Sequence, residues 1–177
     1  EIGDNFADHR GGAVYLGDSG ITAEFNNVKI YKNRTSYGYN MLGAIAYVYG
    51  KNCDLKFTNC EMYGNYNSPL IVTLEDNSNI YIDGCDIHDN ESYTIISSLI
   101  DNLTSEHYLE VKNTRIHDNR IFDKGNLSYI FKTEDTKFNI ENVTVVDNAA
   151  PLILADDCFG TIKNCTFNNN CIGQDAE

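Results

Sequence analysis

Five aspartates recur at one kind of corner along this 177-residue chain: Asp18, Asp76, Asp101, Asp135 and Asp157, flanked by Glu75, Glu134 and Asp156. Carboxylates repeating at a fixed spacing supply the hard oxygen ligands that Ca²⁺ takes, so Asp76, Asp101, Asp135 and Asp157 are the candidate Ca²⁺ ligands. The competing reading is a solvated acidic corner whose repulsion is screened, and the Gly-Gly-x-Gly-x-Asp nonapeptide of calcium-binding β-rolls is absent. A second set is His88-Asp89 and His117-Asp118, in matching positions of successive repeats. Two stacked imidazoles beside carboxylates are suited to a transition metal or to acid–base work. Tyr63 and Tyr31 fill the same position one and two repeats before His88, and the strip Tyr31, Tyr63, His88 and His117 offers aromatic faces for sugar rings. Ordinary exposed corner residues are the plainer account.

The six cysteines, Cys53, Cys60, Cys85, Cys158, Cys165 and Cys171, contain no CxxC and fit no zinc spacing. Cys60 and Cys85 fall on one inward column of consecutive repeats, within disulfide range, but side chains in parallel register seldom give the required torsion. Buried free thiols acting as small apolar residues are the favoured reading. Asn102 and Asn126 lie in sequons within expected loops and are the glycosylation candidates for a eukaryotic host.

A net charge of −13 argues against nucleic acid or an anionic membrane as partner. No apolar run is long enough to span a bilayer. The absence of an initiating Met or a signal-like start suggests a mature or excised segment.

What must position these residues is a repeat. Aligned on Asn5, Asn33, Asn65, Asn90, Asn119, Asn148 and Asn170, the chain repeats at intervals of 28, 32, 25, 29, 29 and 22 residues. Before most of these asparagines stands an apolar pair two apart, such as Cys85/Ile87 or Val143/Val145. Before each pair stands Asn27, Asn59, Gly84, Asn113, Asn142 or Asn164, residue types that tolerate a left-handed bend. Another inward pair precedes the bend (Leu55/Phe57, Ile80/Ile82), and a more continuous apolar run, as parallel strands show, opens each repeat. Three short strands per repeat and no helical period predict an all-β fold: a right-handed parallel β-helix of about seven coils, one domain over residues 1–177. Asn33, Asn65, Asn90, Asn119, Asn148 and Asn170 are expected to be structural, stacked as an amide ladder. Extra residues at 34–41, 101–107 and 120–128 are expected to leave the rod as loops.

Gly11-Gly12-Ala13-Val14 and Phe167-Asn168-Asn169-Asn170, with partial copies such as Gly43-Ala44-Ile45, resemble the GGA[ILV] and FxxN repeats of the polymorphic outer-membrane proteins. Similar repeats occur in adhesin-like and, more distantly, pectate-lyase-like proteins. The resemblance implies an extracellular or cell-surface passenger, often adhesive. The expectation is therefore a non-catalytic adhesin-like or structural element that stacks at its rod ends on adjacent repeats or other copies of itself, with a host-surface protein or glycan as a further partner. No cofactor is required in this reading. The alternative is a polysaccharide-binding or polysaccharide-cleaving protein that uses Ca²⁺; against it, Lys29, Arg115 and Lys163, the available bases, sit on separated coils.

Overall fold

The computed structural model describes residues 1–36, 43–99, 107–121 and 129–170. Within these, strands form three parallel sheets that run the length of a solenoid. The first face is built from Val14–Leu16, Ala46–Val48, Ile71–Thr73, Thr94–Ser98, Tyr129–Glu134 and Ile153–Asp156. The second comprises Thr22–Asn26, Asp54–Thr58, Asn79–Asp83, His107–Lys112, Thr136–Glu141 and Phe159–Lys163. The third carries Ile2–Gly3, Lys29–Tyr31, Glu61–Tyr63, Asp86–His88, Arg115–His117, Thr144–Val146 and Thr166–Asn168. One sheet thus has seven strands and the other two have six, so six coils contribute to every face, one fewer than the asparagine count suggested. No helix occurs among the described residues, and none is long and apolar enough to cross a membrane.

Register follows from alternation. On the second face Ala23, Leu55, Ile80, Leu109, Phe138 and Gly160 pair in succession, so one inward column runs along the rod. On the third face Ile30, Met62, Ile87, Ile116, Val145 and Phe167 do the same. A one-residue slip would turn every such residue to solvent, which is why the pairing is unambiguous. The first face differs because both of its sides are covered in the middle. Val72 and Ser97, which point away from the core by register, are as buried as Ile71 and Ser98. That double burial explains the continuous apolar runs there.

Corners are made by left-handed residues. Asn27, Asn59, Gly84, Asn113, Asn142 and Asn164 all take φ between 49° and 64°, as the bend column requires. A second left-handed column precedes the closing asparagines: Asp4, Lys32, Gly64, Asp89, Asp118, Asp147 and Asn169. At the GGA motif, Gly11 has φ 63° and a Cβ there would stand 2.2 Å from the Val14 carbonyl oxygen. Gly43 repeats this one coil later, 2.1 Å from the Ala46 carbonyl, so the motif is a turn that excludes side chains.

After the closing asparagine the chain makes a short fourth pairing that the three-strand scheme omits. Phe6–Ala7 pairs with Arg34–Thr35, and Glu91–Ser92 with Arg120–Ile121. Two of the expected loops therefore begin two residues later than anticipated, and what remains of the three loops lies almost wholly outside the described residues, as do Asp101, Asn102 and Asn126.

Candidate functional site

The closing asparagines form the longest polar array. Each side-chain Nδ2–H donates to the Oδ1 of the next coil: Asn5 to Asn33 at 2.8 Å, Asn33 to Asn65 at 3.0 Å, Asn65 to Asn90 at 2.9 Å, Asn90 to Asn119 at 2.9 Å, Asn119 to Asn148 at 2.8 Å and Asn148 to Asn170 at 2.9 Å. The same Oδ1 also accepts the backbone N–H of the preceding rung, as Asn90 does from Asn65 at 2.9 Å. The second Nδ2–H reaches back to a carbonyl one coil earlier, Met62 for Asn90 and Ile87 for Asn119. Asn33, Asn65, Asn90, Asn119 and Asn148 are buried, and these bonds engage both ends of each amide, which is what makes a buried polar column tolerable.

The strip on the outer side of the third face is also a column. Tyr31 and Tyr63 stack with ring centroids 5.4 Å apart, Tyr63 and His88 at 5.5 Å, and His88 and His117 at 5.1 Å, all within 13° of parallel. Tyr31 in turn lies over Gly3, where a Cβ would come 2.4 Å from its ring. The ring faces are therefore turned along the rod and occupied by one another. The edges of Tyr31, Tyr63, His88 and His117 are what this strip turns outward, while their faces lie along the rod.

The imidazole nitrogens are engaged sideways. His117 Nδ1 meets Asp118 Oδ2 at 2.6 Å and its Nε2 meets Asp86 Oδ1 at 3.0 Å. His88 Nδ1 meets Asp89 Oδ2 at 2.7 Å, and its Nε2 lies 3.5 Å from Glu61 Oε1. Glu61 is also 2.8 Å from Lys29 Nζ. A neutral imidazole has a single N–H, so His88, with a carboxylate on each side, satisfies both only with the second proton. Burial pulls the His88 pKa down, but Asp89, Asp86 and Glu61 together outweigh it and the net shift is upward. Glu61 moves the other way, held below its usual range by its hydrogen bond to Lys29.

The acidic corner divides into two columns. Asp135 and Asp157 are left-handed turn residues with φ of 47° and 48°, in register with Asn52 and Asn77, and the Asp135 N–H donates to the Asp156 carbonyl. Asp76 sits one position earlier and pairs with Lys51 Nζ at 2.6 Å. Asp76, Asp135 and Asp157 thus do not converge, and among the described residues no three His, Cys, Asp or Glu side chains are placed to hold a metal ion. The bases do not converge either. Lys29 is held by Glu61, Arg115 stands beside Asp86 only in backbone register on the third face, and Lys163 belongs to the second face.

Cys53, Cys60, Cys85, Cys158 and Cys165 are free thiols. Their part is more polar than a small apolar residue's. Cys60 Sγ–H lies 3.3 Å from the Phe25 carbonyl while Cys85 Sγ accepts the Cys60 backbone N–H at 3.4 Å. The hydrogen bond to Cys60, then burial, pushes the Cys85 thiol up, so it stays protonated. Thr114 continues the column, accepting the Cys85 N–H at 3.2 Å.

One polar cluster is built on His107, a residue whose place at the end of the expected loop 101–107 gives no sign of it. That residue opens the strand His107–Lys112 instead and points inward, fully buried. Its Nε2–H donates to the Glu75 carbonyl at 2.6 Å, which leaves Nδ1 to accept from the Ser98 hydroxyl at 3.2 Å. Ser98 Oγ is also 3.2 Å from Thr136 Oγ1. Burial holds the His107 pKa down, so the ring is neutral. The signal available was its column, shared with Cys53, Ser78, Thr136 and Cys158.

Among the sequon asparagines, Asn33 and Asn90 are buried rungs and Asn142 and Asn164 are exposed bends. No curated protein and no solved structure matches the chain. The model of the right-handed β-helix region matches residues 3–175, in agreement with three parallel sheets wound around one core, and the chain belongs to that family.

Proposed function

We propose that this β-helix is a non-catalytic scaffold, an adhesin-like or structural element of the cell surface or extracellular space. The observation that carries the reading is the closure of its polar columns along the rod axis. The asparagine amides bond one another, the aromatic faces cover one another, and the imidazole nitrogens hold carboxylates of the same or the preceding coil. Groups arranged in this way cross-link coils, whereas catalysis needs them to converge on a substrate. The strip that invites an enzymatic reading is among the groups so engaged, and so is Lys29, held by Glu61.

End-to-end contact belongs to the same reading. In the coil nearest the carboxyl end, Ile162 and Phe167 occupy inward columns yet are 43% and 39% exposed. Those columns continue in register with any coil-shaped surface, whether adjacent repeats or another copy, and Asn170 extends the amide ladder toward it.

The test is a panel of acidic and neutral polysaccharides incubated with the purified protein, with and without added Ca²⁺. Reducing ends and unsaturated products are read over time. The proposal expects neither above buffer controls; accumulation of either, abolished by Asp76→Asn, would overturn it.

A further inference from the structure

A second aromatic cluster lies at the other end of the rod, around two arginines. Arg10 lies over the rings of Tyr47 and Tyr49, 5.2 Å and 5.1 Å from their centroids. Tyr47 stacks with Tyr15 at 6.1 Å and with Tyr49 at 6.4 Å. On the adjoining short face of the same coils, Arg34 is sandwiched between Phe6 and Tyr66, 5.3 Å and 5.4 Å from the centroids, and its Nη1 donates to the Tyr66 hydroxyl. Phe6, Tyr15 and Tyr49 are 53%, 49% and 43% exposed, which singles them out because the other large exposed apolar side chains, Phe159, Ile162 and Phe167, all lie in the coil nearest the carboxyl end.

Charge makes the patch unusual. In a chain with 13 basic and 26 acidic residues, Lys29, Lys51, Lys56, Lys112 and Arg120 are each paired with a carboxylate. Arg10 and Arg34 are exposed and, among the described residues, neither has a carboxylate within ion-pair distance, which holds also for Lys32, Arg115, Lys132 and Lys163; what sets the two arginines apart is the aromatic rings they lie over. Aromatic rings hold the two guanidiniums by their faces. Contact at the faces leaves N–H groups at the guanidinium edges, one of which Arg34 already gives to the Tyr66 hydroxyl, and that fork matches a carboxylate bidentately.

We propose that this patch docks an acidic, extended segment of a partner protein. Ring geometry favours a peptide over a sugar. Tyr15 is covered by Tyr47 on one side and lies over Gly17, where a Cβ would come 2.7 Å from its ring, and Arg10 covers Tyr47 and Tyr49. A pyranose needs an open face, whereas exposed tyrosine edges and hydroxyls suit backbone and carboxylate groups. Clustered Tyr and Arg are also the residues that dominate protein–protein contacts. The inference rests on the scaffold reading, to which it adds the partner's chemistry.

Fluorescence anisotropy with a labelled short peptide of alternating Glu and Gly, a Gln/Gly control and an oligogalacturonate tests it on the whole chain. Expected are saturable binding of the Glu peptide alone, weakened at least ~10-fold by Arg10→Ala, and loss of binding as ionic strength rises from about 0.05 to about 0.5 M. Arg10→Lys keeps the charge but loses the planar fork, and binds more weakly than the parent. Unchanged melting of the variants shows that the fold is intact. Absence of saturable peptide binding, binding of the oligogalacturonate instead, or binding indifferent to both Arg10→Ala and Arg34→Ala would overturn the proposal. A peptide-binding failure with no polysaccharide products leaves the scaffold reading standing, whereas products would remove that reading whatever the peptide does.

Discussion

The imidazole of His117 lies 5.1 Å from that of His88 and 13° from parallel to it, while Asp86 and Asp118 hold both nitrogens of His117. The two stacked rings are flanked by carboxylates from their own coils and from the coil before. The pair joins three consecutive coils through side chains on the outside of the rod.

This arrangement fixes the sign of a pH effect. The folded pKa of His88 is raised, so its contribution is complete below the unfolded value near 6.5 and is lost as pH rises through the folded value. Thermal melts of wild type and His88→Gln should differ by about 1 kcal/mol at pH 6 and converge above pH 8. A difference independent of pH would mean that the ring acts by packing alone.

His107 has the opposite sign. Its folded pKa is lowered by burial, so its contribution is present above the unfolded value and disappears as pH falls through the folded one. Titrating stability from pH 7 to pH 4 should therefore show an acid limb that His107→Phe flattens, at a pH-independent cost of about 2 kcal/mol for the orphaned Glu75 carbonyl and the lost Ser98 contact, Ser98 keeping Thr136 as its partner. An undiminished acid limb in the variant would assign it to carboxylates such as Glu61.

Asn90→Ala removes the acceptor used by Asn65 and the donor to Asn119 and Met62 in a buried site. Urea unfolding should show a loss of about 3–5 kcal/mol, far above a surface asparagine. Asn90→Asp should not rescue it, because a carboxylate accepts from Asn65 but cannot donate onward. Losses under 1 kcal/mol would show that the ladder contributes little to cohesion.

Asn113 isolates the bend from the ladder. It is exposed with φ 49°, and its Nδ2 donates to Asp83 Oδ1 at 2.7 Å. Asn113→Gly should stay within about 0.5 kcal/mol of wild type, while Asn113→Val, β-branched in a left-handed site, should cost about 1–2 kcal/mol. Equal melting of the two variants would contradict the backbone explanation of this column.

Much of the rod was legible because its rules are strict. Only Asn and Gly take left-handed bends cheaply, so Asn27 through Asn164 marked corners, and period-2 pairs such as Ile80/Ile82 marked inward faces. The second left-handed column was harder to see, since Lys32 stands in it beside Gly64, Asp89 and Asp118, and Asp marks left-handed backbone less sharply than Asn or Gly does. The strip was found as a column, but its meaning depends on ring orientation: Tyr63 and His88 read the same from sequence whether they face solvent or each other. Asp76 and Asp135 looked equivalent because coil lengths differ, and an offset of one residue separates a lysine-paired carboxylate from a turn. His107 was lost to a long insertion before it, which hid the start of its strand.

The central claim, that the conspicuous polar residues are closed on one another along the rod, is tested most directly by side-chain amide exchange. In a ¹⁵N-labelled sample the Nδ2 protons of Asn65, Asn90 and Asn119 should exchange as slowly as core backbone amides such as that of Ile82, while those of exposed Asn113 and Asn142 exchange rapidly. Rapid exchange at Asn65, Asn90 and Asn119 in the folded protein would contradict it.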